Sequence, residues 1–516
     1  MIMKLKNIFI IAFLAFISVG CEDFLEPKSS SEFIPKDAGS LNELLLGEAY
    51  QLHDMDGFNI FLGLLDDDIE ATAYQKPLEN FNENKYLGSF AWQPDMFKMM
   101  EEANAGHINM YEKYYELILG VNAVLDYLPK VTDTDEMKNI VKAQALALRG
   151  FYYFNLVNIF GQPYNYNPEA LAVPLKLSSG IEADENALKR KTVAEVYAQI
   201  LSDLHAAEEV YKTLPVTEQW KPKFRTSLPM VQLMLSRTYL YMEKWEKASE
   251  YAQCVMNNSQ FYLLDLNNVY TDEAEYMYYP TYDSPETIWL YGSAEDMFKW
   301  TCDEANTVNT ADRNRKMHSY FQASQDLKET FDEYDLRRER YIIKAPLEDG
   351  SFMEMAYGKI LVGAPNNLPK NAINAFGRCL RLSEAYLNYA EAQANIGGEK
   401  INDALDALYT LCENRYEDES LPDFPTAQEE LITFIKEERR RELCFEGHRW
   451  FDLRRWGMPE ITHVWHESAT KSHIYRLKEK DLMYTIPIPD EAMQENNKLI
   501  QNELPGKRTY EEIANN

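Results

Sequence analysis

Positive charge is what this 516-residue chain most lacks: 52 Lys and Arg stand against 83 Asp and Glu, a formal net charge of −31. Phosphate backbones and anionic membranes bind clustered positive charge, so the deficit excludes nucleic acid as a partner. Cysteine is scarce too, with six in all. Cys254, Cys302, Cys379, Cys412 and Cys444 show no CxxC spacing. Neither a zinc site nor a disulfide framework is signalled, and most of these are expected to be buried thiols. No phosphate-cradling glycine loop, nucleophile elbow or metal cluster appears, so the sequence offers no catalytic residue, metal or cofactor. The 46% hydrophobic content is that of a globular chain and not of a multi-span membrane protein.

What is present begins with "MIMKLKNIFIIAFLAFISVGC". Lys4 and Lys6 form a short cationic start, residues 8–19 an apolar run of signal-peptide length, and Gly20 precedes Cys21. The run is short for a spanning helix, which needs ~20 apolar residues. It resembles the bacterial lipobox, which implies removal of residues 1–20 and lipidation of Cys21; several acyl chains make such an anchor effectively permanent. Glu22 and Asp23 resemble the acidic tag of surface-exposed lipoproteins. Residues 21–40 then read as a lipidated tether and 41–516 as a single domain.

Helical periodicity dominates that domain. Apolar residues recur at three and four in "YEKYYELILGVNAVLDYL", "VKAQALALRGFYYFNLVNIFG", "VAEVYAQILSDLHAAEEVY" and "MVQLMLSRTYLYMEKWEKASEYAQCVM". Ser236 with Ala248, and Ala392 with Ala404, stand twelve apart across short turns, which lets paired helices approach closely as a tetratricopeptide pair requires. No clean 34-residue period connects the pairs, so separate helical hairpins interrupted by insertions are expected. The irregular insertions span residues 53–106, about 258–375, and 457–490. Within "DSPETIWLYGS" the Ile288–Trp289–Leu290 run predicts a short buried strand, which makes Trp289 core.

Charge gathers in "ERRRELCFEGHRWFDLRRWG", residues 438–457. Arg439 with Glu442, and Glu446 with Arg449, are three apart and are expected to face each other on one helix as an internally paired network. Glu384 and Glu391 share a helix face, but seven residues at 1.5 Å each put them roughly 10.5 Å apart. Glycosidase carboxylates lie about 5–9.5 Å apart, so a structural role is expected. His448 reads as a packed or surface histidine.

The same stretch resembles the C-terminal signature of the SusD/RagB family of nutrient-binding outer-membrane lipoproteins, through Glu446–Gly447, Arg449, Asp452, Leu453, Arg454, Arg455 and Trp456. "ALRGFYYFNLVNIFG", "RLSEAYLNYAEAQ", "YTIPIP" and "NNKLIQN" extend the resemblance over nearly the whole mature chain. It implies a mostly α, SusD-like helical scaffold built on tetratricopeptide-type pairs, with long irregular loops and short strands. It also implies a non-enzymatic protein that hands an oligosaccharide to a SusC-like TonB-dependent transporter at the outer membrane, as its lid. A peptide ligand is the alternative the family allows, and a surface glycoside hydrolase is the reading from another class. Sugars stack apolar C–H faces on aromatic rings and offer hydroxyls to Asn, Asp and Arg. Two loops combine both: Tyr74 and Trp92 beside Asp67, Asn80 and Asn82, and Tyr279, Tyr282 and Trp300 beside Asp283. Trp465 stands behind them as a further aromatic.

Overall fold

The computed structural model describes residues 35–51, 60–72, 83–103, 109–180, 186–220, 222–268, 282–293, 321–346, 352–355 and 376–515. Cys21, Tyr74, Asn80, Asn82, Tyr279 and Trp300 therefore lie outside the described residues, as does Cys302.

Local sequence sets the helix starts. α1 (Ala38–Ala49) begins at Asp37, whose carboxylate accepts the Ser40 N–H at 2.7 Å, and α2 (Met110–Tyr127) begins in the same way at Asn109. α3 (Asp135–Phe160) follows Thr134, and α4 (Val193–Lys212) opens on a complete capping box between Thr192 and Glu195. α5 (Leu228–Tyr241) is capped by Ser227 with Pro229 in its first turn, and α6 (Trp245–Met256) completes a hairpin with it. After the long insertion come α7 (Leu382–Ile396), α8 (Lys400–Cys412), α9 (Gln428–Leu443) and α10 (Arg449–Arg455). No helix among the described residues is long and apolar enough to cross a membrane.

The mostly helical fold expected from periodicity is what forms. One point of the reading is corrected: the hairpins are not separate. α1 packs on α2, α2 on α3, and each next helix on the last through α8, with α9 laid against α7. The array is continuous in space because α6 packs directly on α7, although the insertion separates them in sequence. Small residues permit the approach. Ser236 Oγ donates to the Ala248 carbonyl at 2.9 Å, and Asn388 Nδ2 of α7 reaches Ser236 Oγ at 3.3 Å, so one hydroxyl joins three helices. α3 lies at the centre, with every residue from Ala143 to Phe154 buried, which explains why its sequence is apolar on all faces.

Nine short strands make three antiparallel sheets among the described residues. β1 (Ile69–Ala71), β3 (Phe321–Ala323), β4 (Ile343–Pro346) and β5 (Phe352–Met355) form one, in the order β1-β3-β5-β4. β2 (Thr287–Ser293) pairs with β6 (Phe376–Arg381) as a two-stranded ribbon. β7 (Ile461–Ser468), β8 (Lys471–Leu477) and β9 (Glu511–Ala514) form the third, in chain order. Trp289 of β2 is core, as expected, with its ring 4.9 Å from that of Phe151 and stacked on Tyr291.

Candidate functional site

Of the residues singled out for ligand contact, the structure brings Tyr282 and Asp283 to one place, just before the β2–β6 ribbon. Leu290 pairs with Cys379 across the ribbon, and these two with Phe376 form a small apolar cluster that carries Tyr282, half-buried, and Phe224. Lys223 fixes this corner from the α4–α5 connection. Its backbone carbonyl accepts the Leu290 N–H at 2.8 Å, its ammonium donates to the Ser284 carbonyl at 2.8 Å, and the same ammonium lies 5.7 Å from the Tyr282 ring centroid. Asp283 is exposed. The sequence reading missed Tyr262, whose N–H donates to the Pro285 carbonyl at 3.3 Å and whose side chain is 67% exposed. Its signal was weak, because "QFYLLDL" reads as an apolar run and does not say which ring points out.

Trp92 is corrected from ligand platform to core. It is fully buried, stacks on His463 at 4.1 Å, and donates Nε1–H to the Leu65 carbonyl at 2.9 Å, so neither ring face nor N–H is left for a sugar. Its φ of +46°, costly for a bulky residue, is held by that packing. Trp465 is also buried, against Phe90 and Phe321. Asp67 is engaged by Arg449 at 2.7 and 2.8 Å and by Arg440.

The signature cluster is structural, but the expected pairs do not form. Phe445 and Gly447 both take positive φ, 65° and 81°, ending α9 before α10 begins, so Glu446 and Arg449 do not share a helix. Arg439, Arg440 and Glu442 instead point to other elements, while Arg441 and Glu438 pair along α9 itself. Arg439 meets Asp452 (2.8 Å) and Asn388 (2.8 Å), Arg440 meets Asp68 (2.8 Å), and Arg441 meets Glu438 (2.8 Å). Glu442 accepts from Arg337 (3.0 Å), Arg381 (2.5 Å) and Arg415 (2.9 Å), while Glu446 accepts from Arg381. Burial by itself raises a carboxyl pKa. Arg337 and Arg441 outweigh it at Glu438, which falls to about 2, and Arg415, Arg381 and Arg337 hold Glu442 well below the usual range. His448 packs inside, near Arg439. Glu384 accepts Arg237 through both oxygens, and Glu391 accepts Arg455 likewise along with the Trp456 N–H, so both carboxylates have the structural role expected of them. Cys379, Cys412 and Cys444 are buried thiols, and Cys254 is exposed.

The other family-like segments, far apart in sequence, converge on the buried C-terminal end of α3. Arg454 donates to the carbonyls of Asn158 and Gly161, and the Ile486 N–H donates to Ile159 at 3.2 Å. Asn502 Nδ2 reaches Phe160 O at 3.1 Å, as does Arg190 Nη2. Carbonyls at a helix C-terminus lack partners and carry partial negative charge, so two guanidinium groups, a side-chain amide and a backbone N–H satisfy them from outside. Among the described residues no group of three or more His, Cys, Asp and Glu is placed to hold a metal.

The described residues thus build a continuous helical array locked by buried ion pairs and carrying three short antiparallel sheets. Two SusD-type family models match the chain: "SusD family" over residues 357–506, and "Starch-binding associating with outer membrane" over residues 24–240. Two SusD-like proteins of Formosa agariphila resemble it. One is 26% identical over 66% of this chain and 70% of its own, the other 24% identical over 87% and 91%. Solved structures share the fold. A SusD superfamily protein of Bacteroides thetaiotaomicron aligns with TM-score 0.67 at 20% identity, over 90% of this chain and all of its own. A SusD-like carbohydrate binding protein of Bacteroides vulgatus aligns with TM-score 0.64 at 20% identity, over 90% and 98%.

Proposed function

We propose that this chain is a cell-surface lipoprotein, anchored through Cys21, that captures an oligosaccharide and passes it to a SusC-like TonB-dependent transporter as its lid. One observation carries the reading: the model that matches residues 24–240 is described as starch-binding and associating with the outer membrane. The corner at Tyr282, Asp283 and Tyr262 supplies suitable chemistry, a ring for a C–H face and a carboxylate for hydroxyls. Tyr74, Tyr279 and Trp300 belong to the same proposal. Delivery needs no bond-making: a tethered domain at a barrel mouth enjoys a high effective concentration, so weak binding suffices for hand-over. The lid contact would bury more than ~1,600 Å² in total.

A glycan array probed with the soluble form beginning near Ser29 tests the ligand class. Binding without release of reducing sugar is expected; release, or binding of peptides alone, overturns it. Cys21→Ser should abolish lipidation and outer-membrane retention, as fractionation reads out. Mild extraction should recover the chain with a large barrel, and deletion should lower uptake most at scarce glycan. Recovery of the chain alone together with undiminished uptake defeats the lid.

A further inference from the structure

His463 of β7 sits opposite Tyr475 of β8 and is buried. Phe90 and Trp92 stack nearly parallel to its ring, with centroids 4.2 and 4.1 Å away and interplanar angles of 18° and 24°. Two rings cannot occupy the same face at that distance, so the imidazole is sandwiched between them. Its edge is equally committed. Nδ1 lies 2.7 Å from the Phe90 carbonyl oxygen and Nε2 lies 2.9 Å from the Asp66 carbonyl oxygen.

Carbonyl oxygens only accept. A neutral imidazole has one N–H and one lone pair, so in either tautomer one nitrogen would turn its lone pair on an oxygen at hydrogen-bond distance with no proton between. Flipping the ring would set C–H groups against both oxygens and give up both hydrogen bonds, at 2.7 and 2.9 Å. Two protons on the ring satisfy both contacts at once, and the flanking π faces favour a cation.

The charges around the ring fit. Asp66, Asp67 and Asp68 approach from the turn before β1, and Arg440 of α9 and Arg449 of α10 bind that turn. Three carboxylates against two guanidinium groups leave one negative charge, which an imidazolium balances. The remaining ionisable neighbours are otherwise engaged. Glu70 accepts Gln322, Arg508 over the Trp92 ring binds Asp481, and Tyr484 donates to the Pro459 carbonyl. Burial opposes this arrangement, drawing the ring's pKa below its ordinary value against the two carbonyls and Asp67, which pull it up. Burial likewise raises the Asp66 carboxyl, reinforced by Asp68 and Asp67, and the Asp68 carboxyl as well, so one proton has three claimants. The paired acceptors decide for the ring, since a proton on Asp66 or Asp68 would leave the lone-pair clash in place.

We propose that His463 is held as an imidazolium and acts as a charged rivet, pinning the Leu65–Asp68 turn and the Phe90–Trp92 turn to β7 until deprotonation releases one of them. The device is a pH-sensitive clamp at the edge of the scaffold, and it does not depend on the ligand proposed above. Selective 15N labelling of the eight histidines tests it, with His463→Gln used for assignment. Both ring nitrogens of His463 should be protonated at pH 7 and titrate above the ordinary value of about 6.5. One protonated and one bare nitrogen at pH 7 overturns the proposal, and this reading needs only folded wild-type protein. Denaturation of wild type and variant from pH 5 to pH 9 gives an independent sign. A raised folded-state pKa makes the wild-type advantage full below about 6.5 and shrinks it as pH climbs through the folded value. An advantage that grows through about 6.5 means a neutral buried ring, and also overturns it.

Discussion

Asp283 and Glu286 stand three residues apart, yet one faces solvent and the other is fully buried. Glu286 accepts Arg381 at 3.1 Å, Arg415 at 2.6 Å and the Leu264 N–H at 2.9 Å, and so joins the network centred on Glu442. The ribbon's first strand is thus tied at its base into the signature region, while Asp283 ahead of it reaches the surface. Desolvating such charges is expensive, and the geometry that repays it also fixes every partner, leaving nothing to bind a ligand. An exposed carboxylate keeps its hydration and its freedom to exchange water for a sugar hydroxyl. Family signature and candidate ligand contact are adjacent in space but obey opposite requirements.

The sharpest test removes a hub. Glu442→Ala leaves Arg337, Arg381 and Arg415 without their common acceptor, and should cost about 4–5 kcal/mol in urea denaturation, the upper part of what breaking a buried pair does. A loss below about 1 kcal/mol would break the comparison outright. Trp92→Ala should follow at about 3 kcal/mol, from the cavity and the lost bond to Leu65. Affinity of the folded fraction should not change; a variant of wild-type stability with lost glycan binding would return Trp92 to the ligand surface.

Much of this was legible in sequence. Periodicity located the helices, and the Ile288–Trp289–Leu290 run gave the buried strand. Charge balance in residues 438–457 announced a paired network. Its partners were not legible, because Arg337, Arg381 and Arg415 arrive from distant segments and local spacing favours pairs that the break at Phe445 and Gly447 prevents. Stacking of α6 on α7 was hidden for a similar reason, since a period counted along the chain cannot see across an insertion. Trp92 misled because an aromatic among Asn and Asp residues looks alike whether its ring points to solvent or to His463. Tyr262 was hidden in the opposite way, as an exposed ring within an apolar run.

Acid should separate the two regions next. Glu438 is held at about 2 against an ordinary 4.5, a depressed folded-state value. Its contribution is therefore present in full above about 4.5 and is lost as pH falls through 2, on the order of 3 kcal/mol. Glu391 and Asp452 are lowered in the same sense, burial being outweighed by Arg455 at the first and by Arg439 and Arg455 at the second. Stability should fall steeply between about pH 5 and pH 2, and Glu438→Gln should flatten that slope while lowering stability at pH 7. An unchanged slope would mean that the network is not what acid titrates.

The smallest effect lies on the surface and bears most on function. Asp283→Ala removes an exposed carboxylate, so stability should stay within the scatter of surface substitutions, about 0.5 kcal/mol. If Asp283 accepts a ligand hydroxyl, that loss should weaken glycan binding by about 1–1.5 kcal/mol, roughly five- to thirteenfold, as the net value of a hydrogen bond implies. Tyr262→Ala should weaken it comparably through lost stacking, with stability again unmoved, because that ring is largely exposed. Tyr282→Ala is less clean, since the ring also covers Leu290 and Phe376, and it should lower stability and affinity together. Calorimetry on the three variants distinguishes the cases. Should Asp283→Ala and Tyr262→Ala both bind as wild type does, the ligand surface lies off this corner, and the ribbon serves only to tie its strand to Glu442.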